Sequence, residues 1–166
     1  MPDCTLVDYT LTHWPDVQRI YAEGIATGHA TFETRVPSEP EWSGKFIGGL
    51  CRVAETDDGH IAGWAGAVAS SDRCAYAGVA EVSVYVGRDA QGRGVGRHLL
   101  EDLIRRAEGA GIWTLQAGIF PENSGSIALH TACGFRLVGY REALGQLDGR
   151  WRDVNQYERR SQTVGI

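Results

Sequence analysis

The stretch Glu81-Val82-Ser83-Val84-Tyr85-Val86-Gly87-Arg88-Asp89-Ala90-Gln91-Gly92-Arg93-Gly94-Val95-Gly96-Arg97-His98-Leu99-Leu100 decides how this chain folds. Its first part alternates and is rich in β-branched residues, as a strand is. Gly92, Gly94 and Gly96 then interleave with Arg93 and Arg97. From Val95 onward, Leu99, Leu100, Leu103, Ile104 and Ala107 recur at helical spacing. A strand therefore runs through a glycine-rich turn into the N-terminus of an amphipathic helix. Such a helix end presents backbone N–H groups without intrahelical partners. Together with the helix dipole they make a site for a phosphate or diphosphate. Glycine suits it because the anion must approach the backbone more closely than a Cβ permits.

The type of anion site follows from what is missing. A P-loop needs Gly-Lys followed by Ser or Thr, and the sole lysine, Lys45, lies far upstream. A dinucleotide fingerprint needs glycine where Arg97 stands, in an N-terminal βαβ unit rather than mid-chain. What remains is Gln-x-x-Gly-x-Gly, met by Gln91, Gly94 and Gly96.

The 166 residues suit one domain, 1–166, large enough to bury a core without disulfides or metals. The four cysteines, Cys4, Cys51, Cys74 and Cys133, are scattered, with no C-x-x-C pair and no histidine at ligand spacing. This argues against a metal site and for a reducing compartment. No apolar run approaches membrane-spanning length, and acidic residues come early in place of a basic flank before a hydrophobic stretch. A cytoplasmic protein without membrane contact is expected. The net charge of −5 makes nucleic acid a poor partner. Arg88, Arg93 and Arg97 are a local exception, placed where an anion would sit.

Along the chain, residues 5–9 read as a strand and 12–27 as a helix with Pro15 in its first turn, ended by Gly28. After the loop 28–37, Ser38 and Glu41 signal a capping box, and Trp42, Phe46, Ile47 and Leu50 are predicted to carry a second helix. Residues 52–55 and 61–69 are strands joined by a hairpin turn at Asp57-Asp58-Gly59. Strands follow at 79–86 and, beyond the central helix, at 113–118. Asn123-Ser124 introduces a short helix over 125–133 that stops at Gly134. Residues 135–140 and 150–157 form strands around Leu147-Asp148-Gly149. Hairpins beside strand–helix–strand crossovers predict one α/β (α+β) domain with a mixed sheet.

Two motifs in order carry a family resemblance. The Gln91–Gly96 turn resembles the acyl-coenzyme A pyrophosphate loop of the GNAT superfamily of N-acetyltransferases. Downstream, Asn123, Ser126 and Gly134-Phe135 match that superfamily's Asn-x-x-(Ala/Ser)-x-x-x-Tyr and Gly-Phe, with His130 in the usual tyrosine position. Ile20-Tyr21, the loop 30–34, Trp42, Ala80-Glu81, Leu129-His130 and Gly149–Val154 together look like the phosphinothricin or methionine sulfoximine N-acetyltransferase group. The resemblance implies a mostly antiparallel twisted sheet flanked by helices, with splayed central strands. It implies acetyl-CoA as co-substrate, direct attack by the amine of a small amino-acid-like molecule, and a homodimer.

It also implies site residues. Val84, Tyr85, Val86, Gln91, Gly92, Arg93, Gly94, Val95, Gly96, Arg97, Asn123 and Ser126 would hold acetyl-CoA, with Asn123 on its pantetheine arm. The acceptor must lose a proton, and Glu81, in an apolar strand where burial raises its pKa, is the candidate base. A backbone N–H of 84–86 is the natural donor to the developing oxyanion. His130, with an ordinary pKa of about 6.5, could serve as base, acid or substrate contact, and the sequence leaves these open. Thr31, Phe32 and Glu33 would wall the amine pocket, and Arg73 is a candidate for a substrate carboxylate. Trp151 and Asp153 read as reaching the pocket or supporting a dimer interface. Two rival activities remain at this point: acetylation of protein N-termini or lysines, and a non-catalytic acyl-CoA-binding module.

Overall fold

The computed structural model describes residues 2–166. Seven strands form one sheet in the order β1-β2-β3-β4-β5-β7-β6. They are β1 (Cys4–Asp8), β2 (Phe46–Thr56), β3 (Ile61–Ala69), β4 (Val79–Val86), β5 (Thr114–Ile119), β6 (Arg136–Leu147) and β7 (Arg150–Arg160). Only β4 and β5 run parallel; every other neighbouring pair is antiparallel. The helices are α1 (Trp14–Ala26), α2 (Glu39–Ser43), α3 (Val95–Gly109) and α4 (Ser124–Ala132). The mixed, mostly antiparallel architecture expected from the sequence is the one observed. Among the described residues no helix is long and apolar enough to cross a membrane.

The central strands of the sheet are covered on both faces. On one, Val95, Leu99, Leu100, Leu103, Ile104 and Ala107 of α3 pack on Ala65, Ala67, Ala80, Val82 and Leu115. The small alanines let the helix approach closely, which is why β3 and β4 carry them. On the other face, Val17, Ile20 and Tyr21 of α1 and Trp42 of α2 close over Val53, Ile61 and Trp64. Strand alternation therefore directs Ala80 and Val82 toward α3, and puts Glu81 and Tyr85 on the α1 side.

The predicted second helix is cut short. The Ser38–Glu41 capping box forms as expected, but α2 ends at Ser43, and Phe46, Ile47 and Leu50 belong to β2. Gly44, Gly48 and Gly49 explain the change, since each costs a helix about 1 kcal/mol relative to alanine. Gly49 adopts a positive φ of 77°, and the β2–β3 register shifts between Phe46 and Cys51. This bulge swings the Phe46 ring over Gly66, where a Cβ would come within 2.3 Å of it. The last hairpin is longer than the sequence suggested, 136–147 against 150–160, because Asp148 and Gly149 both take positive φ in a tight two-residue turn.

Leu103 is fully buried at the centre of the α3 face. Leu103→Ala is expected to destabilise the fold by about 2–5 kcal/mol, read as a lower urea midpoint at unchanged m-value.

Candidate active site

The site originates where two strands part. β4 pairs with β3 along its whole length, from Ala69↔Ala80 to Gly63↔Val86. With β5 it pairs only at Val79↔Thr114, Ala80↔Leu115 and Glu81↔Gln116. Beyond Glu81 the strands diverge, and a cleft of about 850 Å³ opens between Val82–Val86 on one side and Ala117–Phe120 on the other. It runs from Gly92, Gly94 and Gly96 through the gap in the sheet to Glu81, Thr31, Phe32 and Glu33.

At the α3 end, Gly92 and Gly94 take φ of 75° and 83° to turn the chain. His98 N–H is the first in the helix to bond backward, reaching Gly94 O at 3.0 Å. The N–H groups of Val95, Gly96 and Arg97 thus lack intrahelical acceptors, and the glycine N-cap offers them no side chain. A Cβ on Gly96 would stand 3.3 Å from Leu129 and Val86, so the floor is already filled. These observations fit a diphosphate bound by main-chain donors. Arg93 and Arg97 point elsewhere: both are exposed and neither lines the cleft, and Arg97 pairs with Glu101 at 2.8 Å. Gln91 reaches back toward Val86 O.

Glu81 opens into the cleft, yet the walls strip enough water from its carboxyl to raise its pKa, while Lys45 pulls the other way. His130 is only 4 % exposed. Its Nδ1 lies 2.7 Å from Ser126 O, and because a carbonyl can only accept, the proton sits on Nδ1 and Nε2 carries the lone pair. Burial lowers its pKa, against the smaller effect of that hydrogen bond. Both groups are thus pushed toward their neutral forms. Asn123 caps α4 through Ser126 N–H and donates to His29 O at 3.0 Å.

The acceptor end is shaped by contacts that the sequence did not announce. Arg152 donates to Gly28 O and lies within 3.1 Å of His29 Nδ1 and 3.3 Å of Glu122. Its guanidinium also covers the Phe120 ring at 4.2 Å. It ties the 28–33 loop to β7 across more than a hundred residues, a separation no local spacing reveals. Phe32 meets Phe120 edge-on at 4.8 Å and packs against Gly145. Tyr85 stacks on Trp64 and Tyr21, at 4.7 and 5.1 Å. Lys45 and Arg141 line the cleft too. Arg73 does not: it is exposed, with its guanidinium over Tyr76. Trp151 is 63 % exposed and lies off the cleft. Asp153 accepts from Ala143 N–H at 2.7 Å and from the Tyr140 hydroxyl, fastening a bulge in β6.

The model of the acetyltransferase (GNAT) family matches residues 14–135. A phosphinothricin N-acetyltransferase of Alcaligenes faecalis is 38 % identical over 145 residues, 84 % of this chain and 74 % of its own. The L-methionine sulfoximine/L-methionine sulfone acetyltransferase of Pseudomonas aeruginosa is 42 % identical over 79 residues, covering 48 % of this chain and 46 % of its own. The crystal structure of a GNAT superfamily phosphinothricin acetyltransferase from Sinorhizobium meliloti, in complex with AcCoA, superposes with a TM-score of 0.87 at 33 % identity, covering 98 % of this chain and 91 % of that one.

Because the floor beneath the α3 amides is full, Gly96→Val is expected to weaken coenzyme A binding by roughly 10- to 100-fold, the worth of one charge-assisted hydrogen bond. Isothermal titration of the folded variant measures it.

Proposed function

The chain belongs to the acetyltransferase (GNAT) family, and on that premise we propose that it acetylates a small amino-acid-like amine with Glu81 as the general base. It is an acetyl-CoA-dependent N-acetyltransferase, and the acceptor class is that of phosphinothricin and methionine sulfoximine. One observation carries the reading: a single cleft joins the free amides of α3 to the Glu81 carboxylate through the parted strands.

Acetyl-CoA supplies an electrophilic thioester, and the acceptor must meet it as a free amine because an ammonium has no lone pair. Glu81, its pKa raised by its surroundings, takes that proton directly or through one water. Past Glu81, β4 has no β5 partner, so main-chain N–H groups among Val84, Tyr85 and Val86 on that edge are free to stabilise the oxygen as charge develops. Val95, Gly96 and Arg97 amides hold the diphosphate, and Asn123 and Ser126 flank the path between. We assign His130 as an acceptor for the incoming amine through Nε2, since a buried imidazole of lowered pKa has no proton there to give a thiolate.

A protein N-terminus fits less well, because Phe32 and Phe120 narrow the acceptor end. We further propose a homodimer formed on the last hairpin, where Leu137, Val138 and Tyr140 of the edge strand β6 and Trp151 of its neighbour β7 are exposed. Four free cysteines suit a cytoplasmic setting, which we also propose.

Glu81→Gln is expected to lower kcat by roughly 10²–10⁴ while leaving coenzyme A affinity close to wild type. In the wild type, kcat/KM rises with pH through a limb above the ordinary glutamate range, since Glu81 is inactive while protonated; the variant loses that limb. A thiol-release assay across pH checks both, and undiminished turnover removes Glu81 from the mechanism. Trp151→Glu is expected to shift sedimentation velocity toward monomer; an unchanged species distribution rejects the hairpin interface.

A further inference from the structure

The glycine turn that precedes α3 is held at its near end by a side chain outside the cleft. Residues Arg88–Ala90 form a single 3-10 turn, closed by Ala90 N–H on Gly87 O at 2.9 Å. Arg88 is the first residue of that turn, so its N–H has no acceptor within it. Glu23 of α1 supplies one: its Oε2 lies 2.7 Å from Arg88 N. The other oxygen, Oε1, accepts from Arg19 Nη1 at 2.9 Å. Arg19 in turn donates to Ile61 O at 3.3 Å, at the start of β3. Both carboxylate oxygens are thus engaged, which fixes the direction of the side chain.

Glycines bring this carboxylate within range. A Cβ on Gly24 would stand 2.6 Å from the Tyr85 ring, so glycine lets α1 settle close against the end of β4. Glu23 directly precedes Gly24, and Arg88 comes three residues after Tyr85. Gly87 N–H bonds Ala62 O at 2.8 Å, which fixes the chain just ahead of the turn. Beyond it the fastenings thin out. Gln91 reaches Val86 O only at 3.4 Å, and a Cβ on Gly92 or Gly94 would meet nothing within 4 Å.

We propose that Glu23 is a positioning residue for the cofactor's diphosphate, acting through Arg88 N–H on the loop that leads into the binding amides. The inference rests on the reading that the Val95, Gly96 and Arg97 amides hold that group. Glu23 does not line the cleft, so its influence passes through the chain. Main-chain donors bind an anion well when they already converge on it, and a loop free to sway must be ordered at a cost to affinity. A charge-assisted bond to a backbone N–H is the stronger kind and suits a tether. The sign of the effect separates positioning from charge. On Coulomb attraction alone, removing a carboxylate from this side of the loop favours a diphosphate. Removing a tether weakens it.

The test is isothermal titration of coenzyme A into wild type, Glu23→Ala and Glu23→Gln. Glu23 is partly exposed and alanine favours a helix, so the alanine variant is expected to fold, with its urea midpoint as the check. Glu23→Ala is expected to weaken coenzyme A about tenfold, the lower end of what one charge-assisted hydrogen bond is worth. Glu23→Gln keeps a carbonyl for Arg88 N–H and restores most of the affinity. In the thiol-release assay with phosphinothricin or L-methionine sulfoximine, Glu23→Ala raises KM for acetyl-CoA by the same factor. Its kcat at saturating acetyl-CoA and its KM for the acceptor stay as in wild type, a split that general loosening of the fold does not give. Affinity unchanged or increased in Glu23→Ala, an equal loss in Glu23→Gln, or a parallel fall in kcat and acceptor binding each overturns the proposal. The expected losses of coenzyme A affinity, with no turnover of any amine by wild type, leave Glu23 in this role and sink the small-amine reading instead.

Discussion

The parallel contact between β4 and β5 lasts three residue pairs and then fails, and the active site depends on that failure. Main-chain donors and acceptors inside a protein demand partners, so a sheet that parts in its middle is costly unless something else satisfies the exposed edge. Here the other edge of β4 stays fully paired to β3, which keeps the strand straight and its free edge in register with the cleft. The Gln91 side chain reaches one of the released groups, Val86 O. The remainder face the space where a thioester-bearing ligand would lie. A pantetheine amide is chemically a peptide group, so the ligand can act as a missing strand.

Two hydrophobic layers hold this opening in place. The α3 layer packs large aliphatic side chains on alanines, setting the helix close enough for its first amides to line the cleft floor. The opposite layer is aromatic, with Tyr21, Trp64 and Tyr85 stacked nearly parallel behind the acceptor end. Aromatic faces form a stiff wall with few rotamers, and they exclude water without ending the site in an aliphatic plug. Arg152 then draws the 28–33 loop down onto this wall. Its contacts go mainly to backbone and rings, so it acts as a fastener rather than as a free cation.

Electrostatics in the cleft follow from the same arrangement. Desolvation raises Glu81 and lowers His130, so burial favours the neutral form of each by opposite movements. Neutral histidine with its proton fixed on Nδ1 offers a lone pair, and a carboxylate of raised pKa is a stronger base than an ordinary glutamate. Against this, Lys45 and Arg141 put two cationic side chains on the lining of the cleft.

The linear chain by itself determined the glycine turn, the strand before it and the helix after it, because strand alternation, helical periodicity and the glycines all act within a few residues. Those local signals also carried Asn123 as a helix cap and the mixed, single-domain architecture. They misjudged 46–50, where an apolar pattern compatible with a helix was overridden by Gly44, Gly48 and Gly49 and by the demand for a ring over Gly66. They placed Arg93, Arg97 and Arg73 near ligands because charge and proximity in sequence suggested it, whereas side-chain direction put all three off the cleft. Only the tertiary structure decided the fastening role of Arg152 and the placement of Lys45 and Arg141 on the cleft. Each belongs to the site through contacts between segments far apart in sequence, and no periodicity encodes which distant strands will lie side by side.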